Sequence, residues 1–223
     1  MEMELILSCS LCHIRKEKRF CLALHDRICP QCCGAEREST LDCPSECTYL
    51  QQARQHEKPR ELESLAQEEL FRDVNLEQRF FYDHEHLIAG LMYGIAQLAW
   101  RQKDWTDQEF LRVLTAITRA TATRAGSGLI VGESSPNPMQ QALQEEIDKM
   151  IAQYRRLEEQ HLGYFQLKDS DVLRALVFLV RMGHSRTNGR RKSRAFLDSV
   201  RAQFPAQSTA GVAPAANSSL IIP

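Results

Sequence analysis

"ICPQCCGAERESTLDCPSEC", residues 28–47, packs five cysteines into a short stretch, two of them adjacent. The other three, Cys9, Cys12 and Cys21, precede it, and no cysteine follows Cys47 in a chain of 223 residues. Structural thiols buried in an ordinary core would be scattered, whereas clustered ones read as metal ligands or redox groups. The opening "MEMELILSCSLC" has acidic residues before a short apolar run, unlike a secretory leader. A reducing, cytoplasmic setting is therefore expected, in which disulfides do not persist.

Zinc takes four thiolate or imidazole ligands in a tetrahedron, delivered as closely spaced pairs. Cys9 and Cys12, and Cys29 and Cys32, are each separated by two residues, and Cys43 and Cys47 by three. A two-residue gap lets the chain turn over a metal with backbone N–H groups aimed at the sulfurs. The wider gap predicts a helix with both sulfurs on one face, Pro44 at its first position and "TYLQQARQHE" continuing it. A loop pair combined with a helix pair is the arrangement of a treble-clef finger.

Eight thiols suggest two metal ions. One assignment places Cys9, Cys12, Cys29 and Cys32 on the first and Cys21, Cys33, Cys43 and Cys47 on the second. Adjacent Cys32 and Cys33, read as extended chain, would then point opposite ways. Ordered with His25, the ligands also resemble a RING finger, with Cys21, His25, Cys43 and Cys47 on the second metal and Cys33 unused. That resemblance covers residues 9–47 and departs from the RING pattern at the last gap. It implies an E3 ubiquitin ligase that docks a conjugating enzyme. "CPQCCG…R…CPSECTYL" is also similar to uncharacterised bacterial proteins with a cysteine-rich amino-terminal segment and a helical remainder. An iron–sulfur cluster is the competing occupant, since four thiolates hold either group.

Beyond the cysteines the pattern is helical, and the chain reads as mainly α: a zinc-binding module, treble-clef or RING-like, at 1–56, an all-α bundle of about five helices at 57–205 and a disordered tail at 206–223. Ser64 and Gln67 read as a capping pair before "LAQEELFRDV". Leu87, Ile88, Leu91, Met92, Ile95 and Leu98 form one apolar face. Thr106 and Glu109 make a capping box before Phe110, Val113, Leu114 and Ile117. "RAGSGLIVGESSPNP", residues 124–138, reads as a loop with an extended piece at Leu129–Val131. Leu143, Ile147, Met150, Ile151, Tyr154 and Leu157 share the face of a long helix. Ser170 is expected to cap the next, Gly183 to end it, and Phe196, Leu197, Val200 and Phe204 to mark the last.

A net charge of −1 gives no global pull toward nucleic acid or membrane. Apolar runs such as Ala175–Val180 are far shorter than the roughly 20 residues of a spanning helix. Two basic stretches, residues 13–20 and 181–194, could still meet phosphates locally, and "TNGRRKSR" carries no acid. No aromatic side chain interrupts the second to stack on bases. His84 and His86 stand about 200° apart on a helix and cannot share an ion. Gly126–Gly128 lacks the Lys-Ser/Thr of a phosphate loop, and Trp100 and Trp105 read as core anchors. No catalytic set emerges. The expectation is a zinc-containing adaptor or regulator with a protein partner, with RING-type ligase and nucleic-acid binder as alternatives.

Overall fold

The structure, a computed structural model, describes residues 8–127, 137–164 and 166–206. Its buried residues fall into two clusters, one built around cysteines between Cys9 and Leu50 and the other around aliphatic and aromatic residues between Phe71 and Val200.

In the cysteine cluster, Cys9 N–H donates to the Arg15 carbonyl at 2.8 Å and His13 N–H to the Cys9 carbonyl at 2.8 Å, which folds the first pair into a tight turn. His13 takes a left-handed backbone, with φ of 54°, to close it. Strands β1 (Arg19–Cys21) and β2 (Asp26–Ile28) pair antiparallel, with Arg19 opposite Ile28 and Cys21 opposite Asp26. Helix α1 (Pro30–Glu36) follows, with Cys29 as N-cap and Pro30 at a position where its missing N–H costs nothing. Helix α2 (Thr48–Arg54) starts after Cys47. Apart from thiols, the buried apolar side chains here are Ile28, Leu41 and Leu50 alone among the described residues. Three aliphatic side chains cannot offset the conformational entropy of ordering some forty residues, so this part needs a further source of cohesion.

Two local expectations fail at this point. Pro44 is outside any helix, because α2 begins only at Thr48, and Cys43 and Cys47 therefore lie on a loop and a cap instead of one helical face. Cys32 and Cys33 are not extended: both sit on α1, whose pitch turns neighbours about 100° apart. The two side chains still diverge, by helical rather than strand geometry.

The second cluster is helical. After a 3₁₀ turn at Leu62–Ser64 come α3 (Gln67–Leu70), α4 (Gln78–Asp83), α5 (Glu85–Arg101), α6 (Asp107–Ser127), α7 (Pro138–Leu162), α8 (Asp169–Arg186) and α9 (Ala195–Gln203). Helix α6 packs along α8, and α5 lies between α7 and α9. Phe110, Leu114, Leu143, Leu176 and Phe196 are among the fully buried side chains at the centre. The capping box at α6 forms as its sequence predicts: Thr106 N–H donates to Glu109 at 3.2 Å and Glu109 N–H to Thr106 Oγ1 at 3.3 Å.

The helix expected at "LAQEELFRDV" shrinks to α3, because Phe71 turns left-handed at φ 49° and Arg181 gathers the carbonyls of Leu70, Phe71 and Val74. The side chains of Ser64 and Gln67 lie outside the described residues, as do Leu129–Val131 and 207–223 of the tail. Helix α6 runs through Gly126 to Ser127 before the described chain stops. Helix α7 starts at Pro138, with Asn137 Oδ1 accepting from Gln140 N–H at 2.8 Å. Helix α8 is capped from Lys168, where the main-chain N–H meets Asp171 at 3.3 Å, in place of Ser170. It passes through Gly183 instead of ending there. A Cβ on Gly183 would come within 2.4 Å of Leu111, so this glycine serves close helix packing. Leu157, expected on the buried face of α7, is exposed.

Candidate metal centre

The sulfurs of Cys9, Cys12, Cys29 and Cys32 all lie within 4.8 Å of one another. An ideal tetrahedron with Zn–S of 2.3 Å has sulfurs about 3.8 Å apart, so the four need only a small contraction to close on an ion. Each pair reaches the centre by a different device. The first turn presents Cys9 and Cys12, while the start of α1 presents Cys29 and Cys32, with Cys32 N–H donating to Cys29 Sγ at 3.4 Å.

The thiols of this group are shifted in opposite directions. Burial disfavours the Cys9 thiolate, but hydrogen bonds from the main chain of Cys12, Cys29 and Leu11 outweigh it and bring the thiol down to about 6. The main chain of Arg15 and Ile14 likewise lowers Cys12. Cys32 goes the other way: its hydrogen bond to Cys29, together with burial and the neighbouring sulfurs, pushes it up to about 12. Four sulfurs this close cannot all be anionic unless a cation is placed between them. Arg15, beside Cys29 and Cys12, supplies part of that charge from outside the four and has its own pKa raised. All four donors are protein thiols, which fits zinc or another thiophilic ion and leaves no open coordination position.

Cys21, Cys33, Cys43 and Cys47 are buried in the same cluster. They are not drawn to one point: among the described residues, the first four cysteines form the one group of three or more metal-ligating side chains that closes to 4.8 Å. Burial raises the Cys43 thiol, and the nearby Cys47 and Cys21 add to the rise. Cys33 Sγ accepts from Arg19 Nη1 at 3.4 Å, and the same guanidinium stacks over Tyr49, 4.6 Å from the ring centre. His25 is exposed at the turn between β1 and β2, with φ of 53°. All eight cysteines are free thiols.

The basic stretch at 181–194 is largely occupied within the molecule. Arg190 Nη1 donates to the Gly34 carbonyl at 3.1 Å and also to that of Arg37. Lys192 Nζ reaches the Thr40 carbonyl at 2.7 Å, and Arg194 pairs with Asp42 at 2.6 Å. These contacts bind the cysteine cluster to the helices. Their focus is Glu38, which local sequence reading overlooks. It is 1% exposed, has φ of 50°, and its carboxylate accepts from Arg54 at 2.6 Å and Asn188 at 2.7 Å. The Lys192 N–H donates to its carbonyl at 2.8 Å. A buried, non-glycine residue in left-handed conformation whose side-chain partners, Arg54 and Asn188, stand 16 and 150 residues away carries no local signature.

His84 and His86 do not converge: His86 is exposed and His84 faces Asp171 at 3.8 Å. Trp105 packs against the helical core as expected, whereas Trp100 is half-buried outside that cluster and held by its Nε1 donating to the Phe204 carbonyl at 2.9 Å. No described helix is long and apolar enough to cross a membrane. No protein-family model matches the chain, and no curated protein and no solved structure matches it either.

Proposed function

We propose that this chain is a zinc-binding adaptor, in which a metal-folded module recognises a protein partner and is held rigidly against a helical body. The closed set of thiols at Cys9, Cys12, Cys29 and Cys32 carries the reading. Four thiolates complete a tetrahedral shell and exclude water and substrate, so the ion folds the module and performs no chemistry. The same module leaves Leu11, Ile14, Phe20, Leu22 and Leu24 exposed within residues 11–24, which supports a protein-facing surface.

In this reading a second zinc joins Cys21, Cys33, Cys43 and Cys47. Their shared burial and the mutual influence of Cys43, Cys47 and Cys21 favour it. Binding requires the sulfurs to draw together and Arg19 to release Cys33. Thiols in this state persist in a reducing compartment such as the cytoplasm.

Metal analysis and absorption spectra of the full chain, purified without chelators, test the metal. Two zinc ions per chain and no visible chromophore are expected. Cys29→Ser should lose the first ion, Cys33→Ser the second, and His25→Ala neither. Zinc near zero, or an iron–sulfur spectrum, overturns the assignment. Release of an ion by His25→Ala with Cys33→Ser silent would put the RING-like ligand set, and with it the ligase, in its place. For the adaptor role, crosslinking should capture a partner that Phe20→Ser with Leu24→Ser loses at unchanged zinc content. Capture indifferent to that change would refute it.

A further inference from the structure

On the side of the helical body where the linker, α6 and the end of α8 meet, a cavity of about 460 Å³ is lined by four arginines, Arg60, Arg112, Arg119 and Arg190, against a single carboxylate, Glu69. Arg60, Arg112 and Arg119 have no ion-pair partner among the described residues, unlike Arg54, Arg101, Arg194 and Arg201 elsewhere in the chain. In a protein whose net charge is −1, this local excess is uncompensated. Burial lowers the pKa of His184 in the same wall, so it contributes a neutral imidazole at pH 7. Like charges gathered around one cavity repel one another and favour an anion between them.

We propose that this cavity is a binding site for a polyphosphate-bearing small molecule. Guanidinium forks match phosphate oxygens in pairs, and here Arg60 from the linker and Arg112 and Arg119 from α6 line one cavity. Arg112 and Arg119 stand seven residues apart on α6, which separates their Cα atoms by about 10 Å. That span suits a chain of two or three phosphates better than one. Thr115 and Gln108 add polar groups between them, and Leu65, Leu111 and Ala116 provide an apolar wall on which a nucleoside could rest. The carbonyl end of α8 nearby is partly neutralised, since Arg60 N–H donates to the Ser185 carbonyl at 2.9 Å and Thr187 N–H to that of Gly183 at 2.9 Å. Arg190 bridges from this wall to the carbonyls of Gly34 and Arg37, so the cavity adjoins the cysteine module.

Calorimetric titration of the zinc-loaded full chain with inorganic tripolyphosphate, pyrophosphate and orthophosphate at constant ionic strength tests the site. Zinc content is checked before and after, because polyphosphates are weak chelators. One saturable site is expected, tightest for tripolyphosphate. Arg112→Gln with Arg119→Gln should weaken it about tenfold or more. Both side chains are exposed, so the fold should be unaffected. Arg79→Gln, an exposed arginine outside the cavity, should change nothing. Titration with ATP separates the two sources of this chemistry: tighter binding than tripolyphosphate places a nucleoside on the apolar wall, and equal binding assigns the site to the phosphate chain alone. Absence of saturable binding at about 1 mM, or binding that the double variant leaves intact, overturns the proposal.

Discussion

Arg54, the last residue of α2, holds Asp198 of α9 at 2.6 Å with one guanidinium nitrogen and Glu38 of its own module at 2.6 Å with the other. One side chain thus joins the end of the cysteine-rich segment to the last helix of the body, across 144 residues of sequence. Asp198 is in turn held by Arg201, which also caps α5 through the Ala99 carbonyl at 2.7 Å. Such a chain of paired charges fixes one docking geometry. Loosening of the module would therefore be felt at α5 and α9, not only locally.

Glu38→Ala should loosen that docking. Removing one member of a buried, hydrogen-bonded charge network strands the others, at a cost of about 3–5 kcal/mol. Denaturant unfolding should show the loss, and limited proteolysis should cut faster within residues 55–60, which are exposed. A loss below about 1 kcal/mol, the figure for surface pairs, would mean that the network is solvated and the module only loosely attached.

Two glycines should respond in opposite directions to alanine. Gly90 on α5 has nothing within 4 Å of a new Cβ, so Gly90→Ala should stabilise by about 0.5–1 kcal/mol through backbone entropy and helix propensity. Gly183→Ala forces Leu111, buried between α6 and α8, out of its place. Overpacking of this kind costs about 1–3 kcal/mol, which exceeds the propensity gain. Thermal melts of the two variants should move to either side of the parent.

The contrast between those glycines also shows what the sequence makes legible. Helices α5, α6, α7 and α9 are readable because a 3.6-residue period is a local property, and the cap at Thr106 needs only three residues to recognise. Cys9, Cys12, Cys29 and Cys32 are readable because ligand pairs are short-range too. Gly183 reads locally as a helix end, yet its reason for being glycine is Leu111 on another helix. Arg190, Lys192 and Arg194 read as a free basic loop, whereas they bond to carbonyls and carboxylates about 150 residues earlier. The second thiol set depends on where three separate segments come to rest, which spacing alone does not determine.

Asp107 gives a pH signature that distinguishes two roles for a buried carboxylate. It is fully buried and accepts from the N–H groups of Phe196 and Leu197 at 3.1 Å each and from Ser193 Oγ at 3.0 Å, so it ties the start of α6 to that of α9. Burial nevertheless outweighs these bonds and raises its pKa above the ordinary 3.8. A group whose folded pKa is raised binds protons better in the native state. Its contribution is fully present below the unfolded value and is lost as pH rises through the folded one. Asp107→Asn removes the titration and offers one acceptor where three donors point, costing about 1–3 kcal/mol at neutral pH. The stability gap between parent and variant should therefore widen as pH falls from 7 toward 4, with zinc content matched so that metal loss cancels. A gap that narrows instead would mean that the hydrogen bonds win over burial and that Asp107 serves as a charged cap.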